Sequence, residues 1–343
     1  MTDFFCADFS RQAGEDIIGS ATPFQTYILI ECPTPWASEA FDSKLIPANL
    51  KDLITEIKQS QLSIRFLLIE SKQLLPHSYT KLLIYDQNRE EFSKGYSKRE
   101  FNVETLEQVA GVVRNYLAGE SVDCEEETRT TRDILVCTHG SHDKCCARYG
   151  NPFYAKAVAT VSELNLHQVR IWKASHFGGH RFAPTAIDLP EGRYYGVLNH
   201  ESLQSILMRT GEVECFNKVY RGWGILPTQI QVLERELILR YGWNWFNYKV
   251  VGKIIEQNAE KTVIQAEIRF EKPDGSIWNY RADLLKDENN TLCLKGSCNA
   301  SKEFEFVKYS VENLEGYLEK QNSYLYSPKV DKSKYMNKCG MSK

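Results

Sequence analysis

The chain of 343 residues has no surplus of either charge: 42 Lys and Arg face 45 Asp and Glu, for a formal net charge of -3. Without a basic field, nucleic acid and anionic membrane surfaces are not expected as partners. No stretch reaches the roughly 18 consecutive apolar residues that would span a bilayer. The N-terminal MTDFFCADFSRQAGED has neither a basic nor an apolar leader segment. A soluble, unexported, cytoplasmic protein is therefore expected. No G-x-G-x-x-G occurs, GVLNHES and GWGILP both falling short, so nicotinamide or flavin binding is not expected. Nor is there a C-x-x-C among the ten cysteines (6, 32, 124, 137, 145, 146, 215, 293, 298 and 339), which are too dispersed for a small disulfide scaffold.

What is present alternates between strand and helix patterns. YILIECP from Tyr27, SIRFLLIE (63–70) and YTKLLIYD (79–86) read as strands. Ile46, Leu50, Leu53, Ile54 and Ile57 fall on one helix face, as do Leu106, Val109, Ala110, Val113, Tyr116 and Leu117. The order is β-α-β-β-α, and it recurs in the next segment. There DILVC (133–137) is a strand, followed by a helix expected to start at an Asn151 cap with Pro152 in its first turn. HQVRIWKA (167–174) and TAIDLP (185–190) are strands, and ESLQSILMRTG (201–211) is a helix closed by glycine.

Pro76 and Pro184 each stand just before the last strand of their half. That is the thioredoxin-like plan, in which this proline is usually cis. The fold class predicted is α/β: two tandem thioredoxin-like modules followed by a helix and a small antiparallel β region. The divisions are 1–125 for the first module, 130–215 for the second, 216–245 for a linker and helix ending at Gly242, 246–310 for the antiparallel strands, and 311–343 for a helix and tail. A KPDG turn (272–275) joins two of those strands.

The residues with chemistry lie in the second module. CTHGSHDKCC (137–146) follows its first strand, and SHFGGHRF (175–182) follows its second. In an open α/β sheet those strand ends share a rim where ligands gather. Two thiols and two imidazoles fit a structural zinc site, yet eight residues separate Cys137 from Cys146, longer than in a zinc finger. HFGGH is no zincin helix, since it has no Glu and carries Gly178 and Gly179 at its centre. A thiol–disulfide site needs C-x-x-C. The Rieske pattern is half present in Cys137-Thr138-His139, but Arg148 and Tyr149 stand where a second histidine is required. Spacing alone leaves these alternatives open.

VCTHGSHDKCCARYG, SHFGGHRFAPTAI and YYGVL, with SRQAGEDIIGSATP and YILIECPTPW near the start, resemble the sucrase/ferredoxin-like family of thioredoxin-like ferredoxins over most of residues 5–240. The resemblance implies a 2Fe-2S cluster with Cys137 and Cys146 on one iron and His176 and His180 on the other. It departs at His142, where many relatives carry arginine. It implies a one-electron carrier serving a redox partner protein or a small-molecule electron acceptor, with a first module that has only Cys32 near the matching rim and holds no cluster.

Neutral imidazoles make such a cluster less negative than an all-cysteine one, so its potential should be higher and its reduction coupled to a histidine proton at alkaline pH. The competing reading is a zinc-stabilised binding module without redox activity. Sucrose hydrolysis, which the family name invites, would need a flanking carboxylate pair, and none is marked among the acidic residues. Of the remaining residues, Asp143 reads as an N-cap, Cys145 as a buried small residue or a replacement for Cys146, and His139 and His142 as loop groups around the site. Gly178 and Gly179 would let the backbone approach closely, and Arg181 would bond either a cluster sulfur or a carboxylate. Cysteines 6, 32, 124, 215, 293, 298 and 339 read as structural, Cys293 and Cys298 being close in sequence but without partners.

Overall fold

Short apolar runs bounded by turn residues become strands, and segments with helical apolar spacing become the helices that cover them. The computed structural model describes residues 4–71, 78–87, 90–126 and 131–321. The first half comprises α1 (Cys6–Gln12), β1 (Thr26–Glu31), α2 (Ala48–Gln59), β2 (Ile64–Glu70), β3 (Thr80–Gln87), β4 (Tyr96–Val103) and α3 (Leu106–Ala118). The second comprises β5 (Arg132–Cys137), α4 (Lys144–Glu163), β6 (Val169–Ala174), β7 (Ala186–Leu189), β8 (Arg193–Tyr195), α5 (His200–Met208), α6 (Phe216–Val219) and β9 (Tyr220–Trp223). After α7 (Ile230–Tyr241) come β10 (Lys249–Gln257), β11 (Val263–Glu271), β12 (Ile277–Lys286), β13 (Leu292–Leu294), β14 (Phe304–Phe306) and β15 (Tyr309–Lys320).

The two halves share a pairing scheme. β1 lies between a parallel β2 and an antiparallel β3, and β5 lies between a parallel β6 and an antiparallel β7. They are fused through an antiparallel β2–β6 contact, Ile69 opposite Ala174, into one nine-stranded mixed sheet of order β4-β3-β1-β2-β6-β5-β7-β8-β9. Period-two alternation sends side chains to opposite faces. Ile28 and Ile30 of β1 pack with Leu50, Leu53, Val109 and Val113 of α2 and α3. Tyr27 and Leu29 face the other way, into an apolar layer shared with Leu135, Cys137 and Trp172 of the second half. The halves therefore have a core layer in common. A buried ionic network reinforces it: the Asp133 carboxylate accepts from Tyr85, Lys98, Arg170 and Trp172, and Arg170 also bonds Glu100 of β4.

β10, β11, β12 and β15 form a separate four-stranded antiparallel sheet, and β13 pairs with β14. Ile264, Ile268 and Phe270 pack in one cluster with Leu233, Leu237 and Ile238 of α7. The 272–275 turn forms as expected, with Gly275 N–H donating to Lys272 O and φ at +79°.

Three expected boundaries are corrected. α4 starts at Lys144 rather than Asn151, and Pro152 lies inside it. The true cap is Asp143, whose side chain accepts from Cys145 N–H at 2.8 Å. α5 is closed by Arg209 in the left-handed conformation, not by Gly211. The expected helix from residue 311 is instead strand β15. Its pairing with β12 holds it extended, with bulges in the register. Arg281 opposes Glu315 while Asp283 opposes Glu312, so Asn313 and Leu314 together face Ala282. Pro76 and residues 322–343 lie outside the described residues, whereas the Ala183–Pro184 bond is cis, as the plan expects.

Candidate metal centre

The site follows from strand pairing. Cys137 ends β5 directly opposite Ala174, which ends β6. The loops leaving these two ends carry the cysteines and the histidines, so residues far apart in sequence meet. Thr138 N–H donates to Ala174 O at 3.2 Å, and His176 N–H to His139 Nδ1 at 3.2 Å, stitching the loops together. His139 is fixed in turn by Nε2 on Ala37 O at 2.7 Å. It is a support for the loop, as expected.

α4 returns across the end of β5 at very short range. A Cβ on Gly150 would stand 1.9 Å from the Cys137 carbonyl oxygen. Gly150→Ala is therefore expected to push the helix off the strand, costing about 1–3 kcal/mol as overpacking does and loosening the Cys137–Cys146 pair. Thermal unfolding and metal content read the two effects.

Cys145 and Cys146 are consecutive on α4 and so point about 100° apart. Cys146 packs in the same buried layer as Cys137, while Cys145 packs with Cys6 and Ala183. Cys145 therefore does not stand in for Cys146 beside Cys137. His176 Nδ1 lies 3.8 Å from Cys137 Sγ and 3.6 Å from Cys146 Sγ. The His176 ring stacks on His142 at 4.1 Å and on His180 at 4.9 Å, centroid to centroid.

The donor atoms fall into two adjoining groups, each within 4.8 Å: Cys137, Cys146 and His176, and His142, His176 and His180. His176 belongs to both. His142, placed by the sequence outside the expected ligand set, sits against His176 and His180, with its Nδ1 on Ser38 O. His180 Nε2 donates to Gly296 O at 2.6 Å, while its Nδ1 is buried with no hydrogen-bond partner among the described residues. An uncompensated buried nitrogen costs free energy unless something binds it. Its position fits a metal ligand.

Burial pushes the Cys137 thiol up, but Cys146, the N–H groups of His139 and Phe177 and the Arg221 guanidinium outweigh it and hold Cys137 below the ordinary thiol range. Cys146 is pushed up, first by its hydrogen bond to Cys137 and then by burial. Burial, His142, His180 and Arg65 bring His176 down to about 2, and burial lowers His180 against the opposing Asp143 carboxylate. A thiolate beside neutral imidazoles is the protonation state that metals take.

The loop of the histidines is clamped from outside. Arg221, itself buried, donates to Gly178 O and Ser20 O, and a Cβ on Gly179 (φ +79°) would lie 2.5 Å from its guanidinium carbon. The close approach that Gly179 permits is thus to Arg221, whereas a Cβ on Gly178 would meet nothing within 4 Å among the described residues. Arg65 Nη2 donates to His176 O at 2.6 Å. Arg181 pairs with the buried Glu15 carboxylate at 2.9 Å, which settles its role as a carboxylate partner. A cleft of about 760 Å³ opens over His139, His142 and His176, with Phe41, Lys58 and Arg65 of the first half among its lining. The histidine side of the site is half-buried while both thiols are buried.

One group of residues escaped the sequence reading. Cys6 and Cys298, taken as structural, converge with Cys145 and Asp143 into a further set of donors within 4.8 Å. The presence of two adjacent cysteines at the start of α4, of which only one faces Cys137, was the available signal.

These features define a mixed α/β protein with buried cysteine and histidine groups able to hold metal. The sucrase/ferredoxin-like family model matches residues 17–222, more than half of the chain, and the chain belongs to that family. It is also 29% identical over 94 residues to altered inheritance of mitochondria protein 32 of Meyerozyma guilliermondii, across 26% of this chain and 33% of that protein. The chain thus spans about a third of the length of the curated relative it matches. No solved structure matches it.

Proposed function

We propose that the chain is a one-electron transfer protein whose second half, residues 130–215, holds a 2Fe-2S cluster through Cys137 and Cys146 on one side and His176 and His180 on the other. The observation that carries this reading is the division of the donors into two groups sharing His176, together with the partnerless Nδ1 of His180. A single tetrahedral zinc would gather all four donors at about 3.3–3.8 Å from one another, given metal–ligand lengths of about 2.0–2.3 Å. The split arrangement favours a two-metal cofactor.

When bound, such a cluster supplies reversible one-electron chemistry at a potential above that of an all-cysteine ferredoxin. The chain's own residues hold its surroundings. The backbone N–H groups of His139 and Phe177 favour charge on the Cys137 sulfur, and Gly296 O fixes the His180 proton on Nε2, leaving Nδ1 free to ligate. Arg65 and Arg221 pin the histidine loop.

The cleft over His142 and His176 supports electron exchange through the histidine side, with a redox partner protein or a small-molecule acceptor. The two halves, with their shared β-α-β-β pairing scheme, support two thioredoxin-like modules fused edge to edge, the first free of a cluster and serving packing or partner recognition. A reducing compartment, the cytoplasm, suits a chain whose described cysteines are all free.

Purified protein is expected to be red-brown, with about two irons and two acid-labile sulfides per chain. Colourless protein with zinc and no sulfide at Cys137 and Cys146 would instead establish the zinc-stabilised binding module. His180→Cys is expected to keep the cluster, lower its potential and flatten its pH dependence, because a thiolate adds negative charge and removes the imidazole proton. Protein-film voltammetry showing neither change would count against histidine ligation.

A further inference from the structure

We propose that Cys6, Cys145, Cys298 and Asp143 form a second metal site, one that binds a single zinc ion and lies apart from the Cys137–His180 centre. The site does not depend on the cofactor reading above.

The three sulfurs form a triangle: Cys6 to Cys145 at 3.5 Å, Cys145 to Cys298 at 3.2 Å and Cys298 to Cys6 at 3.6 Å. Three thiolates on one zinc, at about 2.3 Å each, stand about 3.8 Å apart in a tetrahedron. A few tenths of an ångström of outward movement would admit the ion. Asp143 brings its carboxylate to the same point, within 4.8 Å of every sulfur. It is held there by Cys145 N–H on Oδ1 at 2.8 Å and Cys298 N–H on Oδ2 at 3.0 Å. Each carboxylate oxygen keeps a further lone pair after accepting one of these bonds.

The donor set selects the ion. Soft thiolates in a closed, tetrahedral arrangement favour zinc over the hard cations, which take oxygen donors. Cys6, Cys145 and Asp143 are buried and Cys298 is half-buried, leaving no open position for substrate. That is the character of a structural site rather than a catalytic one. Three thiolates and a carboxylate bring more negative charge than zinc neutralises. The balance is met by Cys6 N–H on Cys298 Sγ and Ala7 N–H on Cys145 Sγ, each at 3.5 Å, and by the positive N-terminal end of α4. Binding releases the three thiol protons to solvent.

The site joins three segments that strand pairing leaves separate: α1, the first turn of α4 and the loop between β13 and β14. Gly296, two residues before Cys298, accepts the His180 Nε2 proton. Zinc here would fix the loop that orients a histidine of the first centre, and would tie residues 4–12 and the C-terminal segment to the main sheet.

The test begins with wild-type protein purified anaerobically, incubated with zinc under reducing conditions and desalted. About one zinc per chain is expected, with three sulfur neighbours and one oxygen in X-ray absorption at the zinc edge. Cys298→Ser is expected to lose that zinc and to become susceptible to proteolysis between residues 295 and 303, while most of the iron and sulfide is retained, because Cys137, Cys146 and His176 do not draw on that loop. Cys137→Ala should do the reverse, losing iron and keeping zinc, so failure at one centre is distinguishable from failure at the other. Wild-type protein that holds no more zinc than the Cys298→Ser variant would overturn the proposal. So would zinc with mixed nitrogen and sulfur neighbours, or a Cys6–Cys145 disulfide found in anaerobically purified protein by non-reducing peptide mapping.

Discussion

Cys137→Ala should abolish most of the bound iron and sulfide while leaving the protein folded. Cys137 closes β5, is 2% exposed, and is the thiol whose surroundings favour charge. Its removal takes away a donor that the other half of the site cannot replace: His142 lies among the histidines, and Cys145 is turned into the Cys6–Cys298 triangle. The alanine fits the space without disturbing the β5–β6 register, so circular dichroism and the unfolding midpoint should change little relative to metal-free wild type. Iron and sulfide assays check the first part. A fully loaded variant would refute the role given to Cys137.

The largest effect on stability is expected from Asp133→Ala. The carboxylate is completely buried and is shared by Tyr85, Lys98, Arg170 and Trp172, drawn from β3, β4 and β6 around its own β5. Removing it takes a carboxylate away from both Lys98 and Arg170, which also pair with Glu100, and breaking a buried pair in this way costs about 3–5 kcal/mol. Asp133→Asn, which keeps the shape but not the charge, should recover part of that.

The pH dependence has a definite sign. Burial raises the Asp133 carboxyl, but Arg170 and Lys98 outweigh it and hold it below the ordinary value; Glu100, by the same opposition of burial and Arg170, falls to about 2. Carboxyls with depressed values contribute stability that is fully present above their unfolded values, about 3.9 for Asp and 4.3 for Glu. That contribution drains as pH falls toward about 2 for Glu100. The stability gap between wild type and Asp133→Ala should thus be constant near neutrality and narrow in acid. Denaturant titrations at several pH values check this; a gap that widens in acid would contradict the ionic role.

The parts of the fold written in local pattern were legible in the sequence. β1 and β5 read as buried strands because their apolar runs are short and bounded. That the cysteine and histidine loops share one rim followed from placing them at the same ends of neighbouring strands, and Cys137 opposite Ala174 is the register that brings Cys137 and Cys146 to His176, with His180 in the adjoining group beside His176.

Where two physical signals competed, the local one misled. Pro152 resembles a first-turn proline, but the Asp143 cap starts α4 eight residues before the expected cap at Asn151. The composition of residues 311–343 suggests a helix and tail, whereas residues up to Lys320 pair with β12 as β15, with a bulge that sets Asn313 and Leu314 against a single partner. The fusion of the halves through β2 and β6 depends on a short edge pairing that no periodicity encodes. Cys6 and Cys298 are 139 and 153 residues from Cys145, and only the folded chain brings the three together.

Electron paramagnetic resonance of the dithionite-reduced protein reports on the proposed two-cysteine, two-histidine cluster itself. The spectrum of a single reduced 2Fe-2S centre is expected, with the low average g value of mixed nitrogen and sulfur ligation and hyperfine coupling to two ligand nitrogens that falls to one in His176→Cys. A silent sample that contains zinc in place of iron, or a cluster spectrum with no nitrogen coupling, would contradict it.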